Sequence, residues 1–260
     1  MFKRIFLLIS FCVLVGNLYS QGEIDDQRKI FFRNETSFGG YLSSTGYGIG
    51  YQHAKRLDGY KKNLIEIDLV TINHPKEKKT QNPYIDQNQK RFVFGKLNSL
   101  MSLRVGIGRQ KELYSKFDKG GISVRRYFTF GSSLGIVKPM YYEVLYPTGT
   151  PNEYYVVTEK FNSTIHNVTD IYSRSSFWIG IDELKFIPGA YFKYGFTFEF
   201  GEYDEFLRAI DLGIILDAYI KETPIMAIEE NNQIYLSLFL SYRIGKVYSK
   251  RQKSIDESEF

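Results

Sequence analysis

The chain has 260 residues and a formal net charge of +5, and because its charges are spread along the sequence we expect no nucleic-acid-binding surface. Tyr and Phe each occur 21 times and Gly 22 times, while the mean hydropathy is only −0.28. A chain that is rich in aromatic residues and glycine, yet polar on average, is typical of membrane strands in which every second side chain faces lipid.

The N-terminal segment has the layout of a secretory signal peptide. A basic start at Lys3 and Arg4 is followed by an apolar run over residues 5–15, and we predict residues 1–20 as the signal peptide, with cleavage after Ser20. The apolar run is shorter than the roughly 20 residues that a helical membrane span needs, and no later segment approaches that length. Strands must therefore carry any membrane insertion of the mature chain.

The single cysteine limits the chemistry of the mature chain. Cys12 lies inside the predicted signal peptide, so the mature chain has no thiol for a disulfide, a redox reaction or a thiolate metal site. Lipid attachment at Cys12 is the alternative, but Phe11 stands where a small residue is expected. The sequence also lacks the motifs of zinc hydrolases, serine hydrolases and calcium loops, so we expect no metal and no cofactor.

Alternation of apolar and polar residues predicts strands along residues 21–246. The clearest case is the segment 188–203, where Phe192 and other apolar residues occupy the even positions while Lys193 and Glu199 occupy odd ones. An apolar outward face and a polar inward face fit a closed antiparallel transmembrane barrel. The pattern predicts ten strands, near residues 30–42, 47–57, 65–69, 91–98, 101–107, 122–130, 133–146, 188–203, 210–218 and 234–244.

The predicted connections alternate in length along the chain. Short ones fall at residues 98–99, 131–132 and 201–205, and long ones at residues 74–90, 110–119, 146–186 and 221–233. Short periplasmic turns and long extracellular loops are the arrangement of bacterial outer-membrane barrels. We therefore predict a barrel domain over residues 21–246 and a polar periplasmic tail over residues 247–260.

Residues 175–181 decide the predicted number of strands. Counted as a strand, they would give eleven, and an odd number would leave the C-terminus outside the cell. Phe177, Ile181 and Leu184 are spaced i, i+4 and i+7, which instead predicts a short amphipathic helix within the longest loop. We therefore predict about ten strands, with twelve as the alternative if this loop contains a further hairpin.

Several short segments carry a resemblance to a known family. They are the export signal ending in Ser20 and Gln21, RFVFGKLN at 91–98, GIGRQ at 106–110, KPMYYE at 138–143, PGAYFK at 188–193, PIMA at 224–227 and YRIGK at 242–246. In these segments the chain resembles outer-membrane β-barrel proteins of the type abundant in Bacteroidota. The resemblance implies the fold and a location in the outer membrane of a Gram-negative bacterium, and it implies no reaction. The polar tail departs from the common pattern of a barrel that ends on an aromatic strand residue.

Charged residues on the inward face of the predicted strands are the first candidate site. A ten-stranded barrel is only slightly wider than the eight-stranded size that side chains can fill. Acids and bases in nearly equal number predict ion pairs that plug the lumen, because buried charges must be paired. A selective pore is the alternative. The predicted inward set is Arg33, Glu35, Glu66, Asp68, Lys96, Arg104, Arg125, Glu143, Lys193, Glu199, Asp211, Asp217 and Arg243.

A catalytic site at the extracellular rim is the second candidate. Small outer-membrane barrels include proteases that use acids with a histidine and lipases that use a serine with a histidine. His74 and His166 fall in predicted long loops, and Asp170 follows His166 closely. No spacing requires these residues to meet, and solvated loop histidines are the alternative. No catalytic residue is therefore assigned, and His74, His166 and Asp170 are the residues on which a catalytic rim site would depend.

Two surface segments are predicted to contact partners. A basic loop with Lys76, Lys78, Lys79 and Lys90 would face anionic lipopolysaccharide and outer-membrane lipid, with a plain solvated loop as the alternative. The loop over residues 146–186 is the best surface for another envelope protein. The leading hypothesis is a non-enzymatic structural or accessory subunit of an envelope complex, and the alternatives are a rim-active hydrolase and a narrow channel.

Overall fold

The computed structural model describes residues 33–84, 90–117, 120–150, 153–201, 206–227 and 231–249. The predicted signal peptide and its cleavage site lie outside these residues, as does most of the predicted tail. The described segments contain no helix that is long and apolar enough to cross a membrane. Their strands, in chain order, are β1 (Arg33–Ser43), β2 (Gly46–Arg56), β3 (Lys61–Ile72), β4 (Lys79–Thr80), β5 (Phe92–Val93), β6 (Asn98–Tyr114), β7 (Ser123–Pro139), β8 (Tyr141–Pro147), β9 (Tyr154–Lys160), β10 (Ile171–Arg174), β11 (Lys185–Glu199), β12 (Phe206–Tyr219) and β13 (Ile234–Ser249).

Eight of these strands close into an antiparallel barrel, which confirms the prediction of a closed antiparallel β-barrel. Around the barrel the order is β1, β2, β3, β6, β7, β11, β12 and β13, and β13 pairs again with β1. The first and last strands are in register from the pair Arg33 and Ser249 to the pair Ser43 and Phe239. Each of the eight strands therefore has two hydrogen-bonded neighbours, and the barrel wall has no open sheet edge.

The two ends of the barrel differ in the length of their connections. β1 begins and β13 ends at the terminal end, where the connections are residues 57–60, 115–122 and 200–205. At the opposite end, termed the loop end, the connections are residues 44–45, 73–97, 140–184 and 220–233. The long loop predicted at residues 110–119 is wrong, because residues 110–114 complete β6 and the following connection lies at the terminal end.

The prediction of ten strands, and its alternative of twelve, is wrong because two predicted turns lie inside strands. Residues 98–99 begin β6 and residues 131–132 lie within β7, and each of these strands is 17 residues long. The predicted strand 91–98 supplies only the two-residue β5, and residues 141–147 form β8 outside the barrel wall. Glycine and serine favour turns in general, but here they lie in long strands.

Gly131 allows β6 and β7 to approach each other closely and makes no turn. It lies opposite Gly106 in the register of the two strands. A Cβ atom at position 131 would lie 2.2 Å from the carbonyl oxygen of Val105 and 2.4 Å from the Cα atom of Gly106. The glycine therefore permits a backbone approach that a side chain would obstruct.

Five short strands form a cap at the loop end. β8 pairs with β9 on one side and with β10 on the other, while β4 pairs with β5. The buried apolar core of the cap consists of Phe92, Tyr142, Val144, Phe161 and Ile171. The predicted helix near Phe177 is wrong, because residues 177–180 form turns. Gly180 has a φ of +80°, a left-handed conformation that interrupts helical geometry.

We expect Gly131→Ala to destabilise the barrel, because the added methyl group must displace the backbone of β6. Overpacking of this kind typically costs about 1 to 3 kcal/mol. The matched control is Gly40→Ala on β1, where an added Cβ atom meets no other atom within 4 Å. Urea unfolding in lipid vesicles, followed by circular dichroism, measures both variants, and equal stability would contradict the close approach of the strands.

Candidate functional site

The interior of the barrel is lined by charged side chains at alternating strand positions. On β11, Lys193 and Glu199 point inward and are buried, whereas Phe192 and Phe198 are exposed on the outer face. Arg33 begins β1, but its side chain lies outside what the structure describes. The other predicted lumen residues retained in the barrel are at most 8% exposed, and they are Glu35, Glu66, Asp68, Arg104, Arg125, Lys193, Glu199, Asp211, Asp217 and Arg243.

Lys193 occupies the centre of the lumen and has two carboxylate partners. Its Nζ donates to Glu66 Oε1 at 2.5 Å and to Asp68 Oδ2 at 2.8 Å. A third bond goes to the hydroxyl of Tyr41 at 2.7 Å, and the ammonium also lies 4.3 Å from the centre of that ring. Since all three donor positions of the ammonium are used, the side chain is fixed in the middle of the barrel.

Arg243 forms the next layer toward the terminal end. Its Nε and Nη2 donate to the two carboxylate oxygens of Asp211, at 2.5 and 2.8 Å, in a bidentate pair. Its Nη1 bonds to Ser37 at 3.1 Å and to Gln52, while Thr197 donates to Asp211 at 2.7 Å. Neighbouring polar side chains therefore complete the hydrogen bonding of this buried ion pair.

A cluster around Glu35 closes the terminal end of the lumen. Arg125 Nη1 donates to both carboxylate oxygens of Glu35, at 3.1 and 3.0 Å, and Arg125 Nη2 pairs with Glu199. Lys62 also pairs with Glu35, and Lys116 donates to Glu199 at 2.9 Å. Each carboxylate in this cluster therefore contacts two cations.

Two basic residues of this cluster, Lys62 and Lys116, are not among the inward residues predicted from the sequence. Lys62 lies on the same face of β3 as Glu66 and Asp68, so extending the alternation toward the start of the strand would have identified it. Lys116 lies in the connection after β6, where no strand period applies, and the sequence carries no signal for its role.

Arg104 and Asp217 form the layer nearest the loop end. Arg104 Nε and Nη2 donate to the two oxygens of Asp217 at 2.8 and 2.6 Å, and both side chains are buried. The guanidinium also lies 6.0 Å from the centre of the Tyr191 ring. This pair joins β6 to β12 across the lumen, since these strands are not neighbours in the wall.

An apolar cluster lies beyond this pair at the mouth of the barrel. Ile225 and Met226 come from the connection between β12 and β13 and are buried among wall residues. The carbonyl oxygen of Ile225 accepts hydrogen bonds from the amides of Leu97 and Asn98, at 2.8 and 3.2 Å, and these bonds fix the position of Ile225. The buried members of this mouth cluster are Ile72, Leu100, Val137, Tyr219, Ile225, Met226 and Tyr235.

Two residues assigned to the lumen from the sequence lie elsewhere. Lys96 is in the loop before β6 and forms an ion pair with Glu77 at 2.6 Å. Glu143 is on β8 in the cap and accepts a hydrogen bond from Ser173 at 2.5 Å. Both assignments are wrong because the predicted strands 91–98 and 133–146 extend beyond the wall strands: Lys96 lies before β6, and Glu143 lies after the end of β7.

The three rim residues are not brought together. The ring of His74 accepts a hydrogen bond from the amide of Lys76 at 3.1 Å, and burial together with the charge of Lys76 lowers the pKa of His74. His166 lies 3.0 Å from Glu159, while Asp170 accepts a hydrogen bond from the amide of Asn167 at 2.9 Å. Within the described segments, no group of three His, Cys, Asp or Glu side chains is arranged to hold a metal ion.

The cap carries a cleft of about 750 Å³ that opens to solvent. Its lining includes the aromatic rings of Tyr141, Tyr146 and Phe161 together with Glu159 and His166. Glu159 Oε1 accepts a hydrogen bond from the hydroxyl of Tyr146 at 2.5 Å and also contacts His166. Aromatic walls with a few fixed polar groups are the usual composition of a small-ligand site.

The outer surface of the wall is divided into an apolar belt and a basic collar. Outward side chains in the middle of the strands are exposed and apolar, among them Phe130, Phe192, Leu212, Leu216, Leu236 and Leu238. Several outward side chains near the terminal end are exposed and basic, and this basic collar consists of Lys55, Lys61, Arg109, Lys111, Arg126, Arg208 and Lys246. At the loop end, the predicted basic loop residues Lys76, Lys78, Lys79 and Lys90 are all exposed.

No protein-family model matches the chain, and no curated protein matches it. Among solved structures, the Ail protein of Yersinia pestis is 7% identical with a TM-score of 0.40, over 84% of this chain and 99% of Ail. Neisserial surface protein A is 9% identical with a TM-score of 0.37, over 83% and 96% of the two chains. The N-terminal β-barrel domain of Pseudomonas aeruginosa OprF is 10% identical with a TM-score of 0.34, over 84% and 98%. Structural similarity at this level does not indicate what this chain binds or does.

We expect the ion pair of Arg104 and Asp217 to behave as one buried unit. Asp217→Leu alone leaves a buried, unpaired guanidinium, at a cost on the order of 3 to 5 kcal/mol. Arg104→Met together with Asp217→Leu removes both charges and should cost clearly less than the sum of the two single changes. Urea unfolding in lipid vesicles measures all three variants.

The control for this experiment is Lys160→Ala, because Lys160 forms an exposed ion pair with Glu183 and its loss should hardly change stability. Additive effects of the Arg104 and Asp217 changes would show that the two side chains are not coupled.

Proposed function

We propose that this protein is an integral outer-membrane barrel of a Gram-negative bacterium that conducts no solute and serves as a non-enzymatic scaffold for its extracellular cap. The observation that carries the proposal is the filled lumen. Layers of ion pairs, around Glu35, Arg243, Lys193 and Arg104, follow one another along the barrel and end at the mouth cluster. A channel needs hydrated charges along an open path, whereas these charges are buried and bonded to one another.

The apolar belt supports insertion in a bilayer. On β13 the outward apolar residues run from Ile234 to Ile244. Ten residue steps cover about 34 Å along a strand, or about 26 Å along the axis of a barrel whose strands tilt by about 40°. The apolar band of outer-membrane barrels is about 25 Å tall, so the belt matches the thickness of the membrane.

The basic collar and the cap support one orientation in that membrane. With the terminal end in the periplasm, the collar lies at the level of phospholipid headgroups, where cations are attracted to anionic lipids. The exposed lysines of the loop that contains Lys76 then lie at the outer surface, near lipopolysaccharide. Export through a cleaved signal peptide is part of the same proposal.

The cap is the surface that this scaffold presents to partners. Its three-stranded sheet, formed by β8, β9 and β10, lies within the segment 141–174 and carries the cleft beside His166. Interaction with another envelope protein through residues 146–186 is the form of the scaffold hypothesis that we favour. A rim hydrolase built on His74, His166 and Asp170 finds no support, since the three side chains have separate partners.

We expect the mature protein to fractionate with the outer membrane and to migrate faster on a gel when unheated than when boiled. A closed barrel resists detergent because it has no sheet edge from which unfolding can begin. Cell fractionation followed by semi-native electrophoresis tests both points. Recovery as a soluble periplasmic protein would overturn the proposed location.

We expect the purified protein to produce no conductance steps in planar bilayers under conditions in which a general porin is active. Arg243→Ala should lower the melting temperature, because it leaves Asp211 buried without its partner, and should remain silent in the bilayer. Ile225→Ser tests the mouth cluster in the same way and should also remain silent, because the ion-pair layers stay intact. Conductance in the unmodified protein, or in Arg243→Ala at unchanged stability, would overturn the closed lumen.

A further inference from the structure

Lys138 lies on the outer face of the barrel wall, yet its side chain is buried. Its neighbour Val137 points into the mouth cluster, so alternation along β7 directs Lys138 outward. Outward charged residues at the terminal end are exposed, whereas Lys138 is only 3% exposed. A segment of the chain must therefore cover the wall from outside at this position.

The covering segment is the turn formed by residues 177–181, here termed the rim turn. Lys138 Nζ donates to the carbonyl oxygen of Ile179 at 2.7 Å and lies 5.1 Å from the centre of the Phe177 ring. Gly180 packs so closely on Tyr141 that a Cβ atom would lie 2.6 Å from that ring. The rim turn is therefore fixed against the outer side of the wall, at the loop end of β7.

The rim turn carries apolar side chains that the described chain leaves partly or mostly exposed. Trp178 is 76% exposed and Phe177 is 57% exposed, and their rings meet edge to face at 5.9 Å. Ile181 is also exposed, and Phe186 follows as the first outward aromatic residue of β11. The exposed charged residues Asp182 and Lys185 lie between the turn and Phe186 along the chain. Phe186 pairs with Ile136, the outward residue of β7 next to Lys138, so the turn lies beside the loop-end edge of the apolar belt.

We propose that the rim turn is a membrane anchor, inserting Phe177, Trp178 and Ile181 into the interface of the outer leaflet and thereby fixing the cap relative to the bilayer. This inference rests on the proposed membrane location of the barrel. Tryptophan and other aromatic side chains favour the interface, where the ring is partly buried in apolar lipid and the polar atom stays hydrated. The position of the turn beside the apolar belt favours lipid over a partner protein as the contact of this surface.

Trp178 is the only tryptophan of the chain, so its fluorescence reports on the rim turn alone. The full mature chain is reconstituted into phosphatidylcholine vesicles, with or without phosphatidylcholine brominated on its acyl chains. We expect blue-shifted emission, strong quenching by the brominated lipid, and a Stern–Volmer constant for acrylamide at least about twofold below that of a water-exposed tryptophan.

Two variants in a Trp178→Phe background supply the reference values. Tyr154→Trp places the probe on β9, where Tyr154 is 60% exposed on the cap, and Phe192→Trp places it within the apolar belt. If Trp178 matches Tyr154→Trp while Phe192→Trp is quenched by the brominated lipid, the barrel is inserted and the anchor is refuted, which leaves a partner protein as the contact. If Phe192→Trp also escapes lipid quenching, the membrane location fails as well, and both proposals fall together.

Discussion

The structure depends on the pairing of the first strand with the last. β13 pairs with β1 over the whole length of β1, so eight strands make a closed wall. Closure satisfies the backbone of the wall without water, which a lipid environment demands. It also fixes the diameter, because eight strands enclose only enough space for side chains. Every inward charge must then lie within reach of another, and the ion pairs of Lys193, Arg243 and Arg104 follow from this confinement.

The buried charges and the apolar belt together define the register of the strands. A slip of one residue would turn every side chain to the opposite face. On β11 it would move Lys193 onto the apolar outer face and Phe192 into the lumen, where Glu66 and Asp68 would lose their cation. Buried ion pairs often contribute little net stability compared with apolar packing. Their consequence here is specificity, since only one register pairs the charges and keeps the outer face apolar.

The sequence predicts the parts of this fold that depend on the period of single strands. Alternation identifies an antiparallel barrel and the inward position of Lys193, because both follow from neighbours two residues apart. Alternation does not predict the number of strands, because a glycine such as Gly131 looks the same in the sequence whether it forms a turn or lets two strands approach closely. Alternation within single strands also cannot predict which inward charges form ion pairs. Lys193 on β11 meets Asp68 on β3 across the lumen, and that contact depends on barrel size and strand order.

In the proposed membrane location, a wall that is filled inside and faces lipid outside leaves the cap as the surface where recognition can occur. The loops at the cap end of the barrel are joined to one another by more than chain connectivity. Met140, between β7 and β8, donates its amide to the carbonyl oxygen of Leu97 at 2.8 Å, and Ala227 donates to Gly95 at 2.7 Å. These bonds connect three different loops at the barrel mouth. A partner would therefore meet a surface whose order is already established by folding, and binding to such a surface loses less conformational entropy than binding to a mobile loop.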